Sequence, residues 1–160
     1  MERIFAPWRY EYVTSGVGAP GCVFCSAQEH VGEADSLVVS VAPLCFLLMN
    51  RYPYNPGHLM VAPRRHVGSL SQATPEELGE MMALARRVEQ VLQEVYRPDG
   101  VNLGMNLGRP AGAGIVDHIH LHVVPRWTGD TNFMSVVGET RVISEDPAAA
   151  CAHLRPFFGP

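Results

Sequence analysis

The clearest pattern in the sequence is an alternation of histidines and apolar residues in the stretch His118-Ile119-His120-Leu121-His122-Val123-Val124. In a β-strand, alternate residues face the same side and lie about 6.5–7 Å apart. Strand geometry therefore predicts that the three imidazoles project from one face, while the apolar residues between them project into the core. Because a shift by one residue would exchange the two faces, the alternation also determines the register of the strand.

Three imidazoles on one face are compatible with three interpretations. They can bind a metal ion, because His-x-His is a common ligand spacing. They can act on protons and phosphate, because imidazole is a nucleophile, a base or a cationic donor near neutral pH. They can also be a solvated polar face, although Ser, Thr or Lys would serve equally well there. The glycine-rich loop 108–114 favours phosphate, because it runs directly into the histidines and its backbone N–H groups could surround an anion.

Around this stretch the sequence predicts an antiparallel α+β domain, with a sheet of about five strands. Strand-like runs occur at residues 36–41, 44–49, 58–62, 101–107, 115–125 and 133–137. A long helix is expected after Thr74, a candidate N-cap, because Pro75 suits the first helical position and Glu77 completes a capping box. Apolar residues then recur at helical spacing as far as Val95. Residues 145–158 suggest a short C-terminal helix.

Composition narrows the class of protein. A length of 160 residues fits one domain spanning 1–160, with residues 1–20 as an irregular N-terminal arm. The net charge is −4 and no Lys/Arg cluster appears, so we expect no binding to a nucleic acid polymer. No stretch approaches the roughly 20 apolar residues of a membrane span, and the start lacks the features of a signal peptide. We therefore expect a cytoplasmic protein whose four cysteines are reduced thiols or metal ligands.

The histidine stretch resembles the motif of the histidine triad family, in which three histidines alternate with apolar residues. The resemblance extends to residues 50–58, Asn-Arg-Tyr-Pro-Tyr-Asn-Pro-Gly-His, and covers the chain from about Cys22 to Trp127. Within the family, the details look most like bacterial diadenosine tetraphosphate hydrolases and phosphorylases. The resemblance implies the antiparallel fold of the family, with one long helix and a short C-terminal helix. It also implies a homodimer.

The resemblance implies a role for each matching position. His120 would attack the α-phosphorus and form a covalent nucleotidyl-histidine. His122 would orient His120, His118 would lie near the leaving group, and His58 would complete the histidine cluster. The expected substrate-binding residues are Asn50 at the ribose and, around the phosphates, Asn106, Gly112, Ala113 and Gly114.

One position departs from the family pattern. Members that hydrolyse usually carry a Gln four residues before the first histidine of the triad, where this chain has Gly114. The departure resembles the phosphorylase branch, in which inorganic phosphate accepts the nucleotide and ADP is released. We therefore expect phosphorolysis ahead of hydrolysis.

Cys22 and Cys25 form a CxxC pair, which by itself could be redox-active or incidental. No thioredoxin-like βαβ pattern surrounds it, which disfavours redox chemistry. Zinc-containing relatives complete a four-ligand structural site with two histidines, at positions that match His66 and His118. This expectation competes with a catalytic role for His118. Cys45, Cys151, His30 and His153 are interpreted as two buried thiols and two surface histidines.

Two other functions fit the same motifs. One is the hydrolysis of nucleoside phosphoramidates or aminoacyl-adenylates, which would share the covalent step. The other is a non-catalytic nucleotide-binding module, which the intact triad disfavours because such a module need not keep a nucleophile.

Overall fold

The computed structural model describes residues 21–131 and 144–159. Within these ranges the elements are α1 (Val23–Glu29), β1 (Val38–Val41), β2 (Cys45–Met49), β3 (Leu59–Pro63), α2 (Pro75–Val95), β4 (Gly100–Gly104), β5 (Leu121–Arg126) and α3 (Pro147–Leu154). Short 3-10 turns occupy Arg109–Ala111 and Arg155–Phe158. The predicted N-terminal arm and the predicted strand at 133–137 lie outside the described residues.

The described strands form one antiparallel sheet in the order β1-β2-β3-β5-β4, which confirms the α+β prediction. Apolar side chains on one face pack against α2 and α3 in the larger core cluster. On the other face, a smaller cluster gathers around Phe24, which α1 contributes. Because β2 and β3 are buried on both faces, all ten of their residues are buried.

The long helix α2 begins as the sequence predicts. Thr74 has extended backbone angles, its side chain accepts a hydrogen bond from the N–H of Glu77, and Glu77 accepts one from the N–H of Thr74. This reciprocal pair satisfies two helix-end donors. Arg65, which precedes the helix, donates to both carboxylate oxygens of Glu77 at 2.8 Å. The N-terminus of α2 is therefore tied to the segment that follows β3.

The structure shortens two of the predicted strands. The predicted strand at 115–125 pairs only as β5, from Leu121, so His118 and His120 lie in the extended segment that leads into it. The ladder with β3 ends at the Val61–Leu121 pair, and Pro63, two residues further along β3, has no N–H to donate. The predicted strand at 101–107 likewise ends at Gly104, opposite His122.

Sequence analysis did not predict α1. This helix has seven residues and no side-chain hydrogen bond at its N-cap, so it lacks the usual signals of a helix start. None of the helices in the described residues combines the length and the apolar character that a membrane crossing requires.

Candidate active site and metal cluster

The three histidines of the motif lie together on the sheet face opposite α2. His122 pairs across the ladder with Met60, which belongs to the smaller cluster around Phe24. The ring centroids of His120 and His122 are 4.8 Å apart. The apolar residues that alternate with the histidines belong to the core beneath α2, as the alternation predicts: Ile119, Leu121 and Val123.

The orientation of His120 leaves one ring nitrogen available for chemistry. Its Nδ1 lies 2.9 Å from the backbone carbonyl oxygen of His118. Because a carbonyl oxygen only accepts, Nδ1 carries the proton and Nε2 keeps its lone pair. Burial lowers the pKa of His120, and the hydrogen bond to the His118 carbonyl opposes this effect. The geometry therefore presents a neutral imidazole with a nucleophilic Nε2.

A chain of hydrogen bonds orients His122. The backbone N–H of Tyr54 donates to Nδ1 of His58 at 3.0 Å, so Nδ1 accepts and the ring proton is on Nε2. That Nε2 lies 2.9 Å from Nδ1 of His122, which therefore accepts. Burial lowers the pKa of His122 to about 4, and the neighbouring His120 adds to this effect. His122 is thus a neutral ring with its own N–H at Nε2.

The predicted substrate-binding residues occupy two places near these rings. Asn50 follows the last residue of β2, and its side-chain nitrogen lies 3.4 Å from Nδ1 of His58. Just before the glycine-rich loop, the side chain of Asn106 donates to the carbonyl of Gly112 at 3.4 Å. Gly112 has a φ of 94°, a conformation that favours glycine. Ala113 is buried, whereas Gly114 is exposed.

A cavity of about 270 Å³ opens beside His122, and sequence analysis predicted only His122 and Asn106 among its lining residues. Arg126 forms one wall, where it donates to both carboxylate oxygens of Asp130 and to the side chain of Asn102. Asp130 also accepts from the buried side chain of Asn55, at 2.8 Å. The i, i+4 spacing of Arg126 and Asp130 is the only signal of this network in the sequence. The cavity is lined by Tyr54, Asn55, Asn102, Leu103, Gly104, Asn106, His122, Val124 and Arg126.

Four side chains could together hold a metal ion, and they are the four that the resemblance implies. The ligand atoms of Cys22, Cys25, His66 and His118 all lie within 4.8 Å of one another. The Sγ of Cys22 lies 3.3 Å from Nδ1 of His118, and the Sγ of Cys25 lies 3.4 Å from Nδ1 of His66. Ligands at the bond lengths of a tetrahedral zinc site are about 3.5 Å apart, so this donor set fits the ion.

His118 directs both ring nitrogens away from His120. Its Nε2 lies 2.8 Å from the carbonyl oxygen of Pro63, so Nε2 carries the proton and Nδ1 offers a lone pair to the cysteines. Carbonyl groups commonly hold metal-binding histidines in this way. Burial lowers the pKa of His118. The same residue offers its side chain to the metal cluster and its backbone carbonyl to His120.

The remaining cysteines and histidines lie where the sequence analysis placed them, the cysteines in the interior and the histidines at the surface. Cys45 and Cys151 are buried, and burial raises the pKa of the Cys45 thiol to about 12. The side chains of His30 and His153 are more than half exposed.

The fold and the site define a class of protein: an α+β domain with a buried histidine cluster on one face of its sheet. Residues 31–129 match the HIT domain family. The chain is 37% identical over 153 residues to a protein of Mycobacterium tuberculosis named AP-4-A phosphorylase, covering 91% of this chain and 78% of the relative. The chain belongs to the HIT domain family.

Two further relatives bear on the chemistry and the metal. A bis(5'-nucleosyl)-tetraphosphatase (asymmetrical) of Schizosaccharomyces pombe is 38% identical over 82 residues, covering 51% of this chain and 44% of the relative. The crystal structure of a zinc-bound histidine triad family protein from Mycobacterium smegmatis superposes with a TM-score of 0.69 at 28% identity. That match covers 86% of this chain and 92% of the other.

Proposed function

We propose that this protein transfers a nucleotidyl group from dinucleoside polyphosphates of the diadenosine tetraphosphate type, with His120 as the nucleophile. The observation that carries the proposal is the bond from Nδ1–H of His120 to the His118 carbonyl, which leaves Nε2 with a lone pair. The names of the M. tuberculosis and S. pombe relatives support a substrate of this type.

In the first step, Nε2 of His120 attacks the α-phosphorus. A P–N bond forms, the P–O bond to the bridging oxygen breaks, and ATP leaves from diadenosine tetraphosphate. The positive charge that develops on the imidazole is shared with the His118 carbonyl through Nδ1–H. The Nε2–H of His122 donates to a phosphoryl oxygen, where charge stabilisation supplies much of the rate of such transfers. Asn50 holds the ribose, while Asn106 and the loop 112–114 hold phosphate oxygens.

In the second step, an oxygen of inorganic phosphate attacks the phosphorus, the P–N bond breaks, and ADP leaves. The acceptor is phosphate in this proposal because Gly114 has no side chain with which to position a water molecule. The M. tuberculosis relative, a phosphorylase by name, supports this choice. His118 takes no part in proton transfer, since both of its ring nitrogens are engaged elsewhere.

Product analysis tests the proposal. Purified protein is incubated with diadenosine tetraphosphate, with and without inorganic phosphate, and the nucleotides are separated by chromatography. We expect ADP and ATP in equal amounts, and only when phosphate is present. AMP and ATP without phosphate would show that water is the acceptor. Turnover of an adenosine phosphoramidate alone would point to the related hydrolases, and no turnover of either substrate to a non-catalytic nucleotide-binding module.

We further propose that the ion of the Cys22, Cys25, His66 and His118 cluster is zinc. Two thiolates and two imidazoles are the ligands of many structural zinc sites, and zinc in such a site stabilises the fold without taking part in the reaction. The bound ion would tie α1 to the segment that carries His118. Metal analysis of protein purified without chelator should find about one zinc per chain. A clearly lower content would contradict the assignment.

Two proposals concern the setting of the enzyme. We propose that two copies of the chain form a homodimer in which their β4 strands meet. Within the described residues β4 is an edge strand that pairs only with β5, and it exposes Leu103. We also propose a cytoplasmic location, since four cysteines without a disulfide suit a reducing compartment. A small nucleotide fits the net charge of −4 better than a nucleic acid polymer or an anionic membrane surface does. Fractionation of cells that express the protein would check the location.

A further inference from the structure

Phe24 lies between the two cysteines of the CxxC pair and faces the nucleophile. Its side chain is 2% exposed, whereas the adjacent Val23 is 50% exposed. The ring centroid of Phe24 is 4.7 Å from that of His120 and 5.2 Å from that of His118. The motif therefore carries an aromatic ring that contacts the imidazole of the nucleophile.

The position of this ring depends on both flanking cysteines. Cys22 is the N-cap of α1, and its carbonyl accepts the first hydrogen bond of the helix, from Ser26. No side chain caps the helix. Its first turn is instead connected to the rest of the domain by the contacts of Cys22 with His118 and of Cys25 with His66. Beneath the ring lie the apolar side chains of the sheet: Val38, Phe46, Leu48, Met60 and Ala62. Phe24 is thus held between the sheet and the imidazoles.

His120 has a defined neighbour on each side. Its Nδ1–H is bound to the His118 carbonyl, the Phe24 ring lies on one side at a tilt of 36°, and the His122 ring lies at 73°. The hydrogen bond selects the tautomer, but rotation of the imidazole also has to be limited if Nε2 is to stay aligned with the phosphorus. A misplacement of about 1 Å can cost about a hundredfold in rate.

We propose that Phe24 is a positioning residue for the nucleophile, and that the Cys22–Cys25 pair controls it. The metal cluster is then connected to His120 by two routes, the backbone of His118 and the ring of Phe24. This inference rests on the proposed function, in which His120 attacks phosphorus. It gives the CxxC motif a part in the orientation of the catalytic group, in addition to its part in metal binding.

The test compares one substitution at two neighbouring positions. Phe24→Leu removes the ring from the His120 contact, and Val23→Leu changes the exposed neighbour in the same turn of α1. We expect Phe24→Leu to lower kcat about 10- to 100-fold while KM stays within about twofold and the metal content is unchanged. Phe24→Tyr, which keeps the ring, should restore most of kcat. Val23→Leu should behave as the wild type.

A second measurement needs no substrate. In metal-loaded protein, the ¹⁵N chemical shifts of His120 report its tautomer, and we expect a single Nδ1–H tautomer in the wild type and in Val23→Leu. In Phe24→Leu the imidazole is free to rotate and Nδ1 can leave the His118 carbonyl, so we expect a mixture of tautomers or exchange broadening. If Phe24→Leu does not fold, Phe24→Met serves instead, because methionine fills irregular spaces in a core.

The outcomes separate this inference from the proposed function. Unchanged kcat and an unchanged tautomer in Phe24→Leu would overturn the positioning role, even if the wild type turns over its substrate. A rise in KM alone would place Phe24 at the substrate and would also overturn it. Loss of the metal in Phe24→Leu would show that the ring supports metal binding, and it would overturn a direct effect of Phe24 on His120. If the wild type turns over neither substrate, the proposed function fails, while the NMR comparison still decides whether Phe24 positions His120.

Discussion

At the scale of single residues, the site depends on which nitrogen of each ring carries the proton. His118 and His120 adopt opposite tautomers, because the Pro63 carbonyl receives Nε2–H of the first and the His118 carbonyl receives Nδ1–H of the second. The two rings therefore offer different nitrogens, Nδ1 to the cysteines and Nε2 to a substrate. One motif thus serves a metal cluster and a nucleophile without a conflict between them.

His120→Ala should abolish nucleotidyl transfer and leave the fold intact. Loss of the nucleophile removes the covalent route, so we expect turnover of diadenosine tetraphosphate to fall at least about a thousandfold. Circular dichroism and the thermal unfolding midpoint check the fold. His30→Ala is the matched control, because that imidazole is more than half exposed and contacts the equally exposed side chain of Glu33, far from the histidine cluster in the sequence. Turnover that survives in His120→Ala would exclude the covalent mechanism.

At the scale of elements, one ion pair links the long helix to the segment after β3. The carboxylate of Glu77 is buried and accepts hydrogen bonds from Arg65 and from the N–H of Thr74. His66, in the metal cluster, is the next residue after Arg65. The Arg65–Glu77 ion pair therefore fixes the backbone next to His66, although it takes no part in the metal cluster itself.

Glu77→Gln should make the protein less stable in a way that depends on pH. The hydrogen bonds with Arg65 lower the pKa of Glu77 from 4.5 to about 2. Because the pKa is lowered in the folded state, the stabilisation is complete above about pH 4.5 and disappears as the pH falls through about 2. At pH 7 the substitution should reduce the free energy of unfolding by about 1.5–3 kcal/mol.

Urea unfolding of the wild type and of Glu77→Gln between pH 7 and pH 2 measures this difference. Glu76→Gln, at an exposed position in the same first turn, is the control and should change the free energy of unfolding by less than about 0.5 kcal/mol. If the difference for Glu77→Gln stays constant over the whole range, the ion pair is not its cause.

At the scale of the whole molecule, the two edges of the sheet differ. Next to β1, the guanidinium group of Arg155 donates to the carbonyls of Ser36 and Val38. β4 exposes Leu103, at 51%, and Leu107 beyond its end is 43% exposed. Val41 of β1 is also exposed, at 42%, but Arg155 covers the carbonyls of the neighbouring residues on that side. Exposed edges with apolar side chains are unusual in monomers, because they invite pairing with another chain. This asymmetry is the reason to expect the dimer at β4.

Leu103→Asp should convert the proposed dimer into a monomer. A carboxylate at the centre of a strand pair would be desolvated without a partner, so association should weaken by more than about tenfold. Light scattering coupled to size exclusion measures the mass of the particle. Val41→Asp, at an exposed position on the opposite edge of the sheet, should leave the mass unchanged. A wild-type protein that is monomeric at micromolar concentration would refute the dimer itself.

The sequence by itself determined features that depend on local periodicity and on short-range hydrogen bonds. The alternation from His118 to Val124 predicted which residues face the core, and the spacing of Thr74, Pro75 and Glu77 predicted the start of α2. Both predictions hold because strand pleating and helix capping involve residues only two or three positions apart. The α+β class follows from the order of such elements.

Only the tertiary structure decided which groups from distant parts of the sequence come into contact. The contact between Phe24 and His120, the tautomer of His118 that the Pro63 carbonyl selects, and the Asp130 network depend on chain segments that only packing brings together. The end of the β3–β5 ladder at Leu121 is likewise a property of the partner strand. The family resemblance named the four metal-cluster residues, but Cys22 and His118 are 96 positions apart, and their 3.3 Å separation is set by the packing of α1 on the sheet. Contacts of this kind are determined by the packing of the whole core, which no local pattern records.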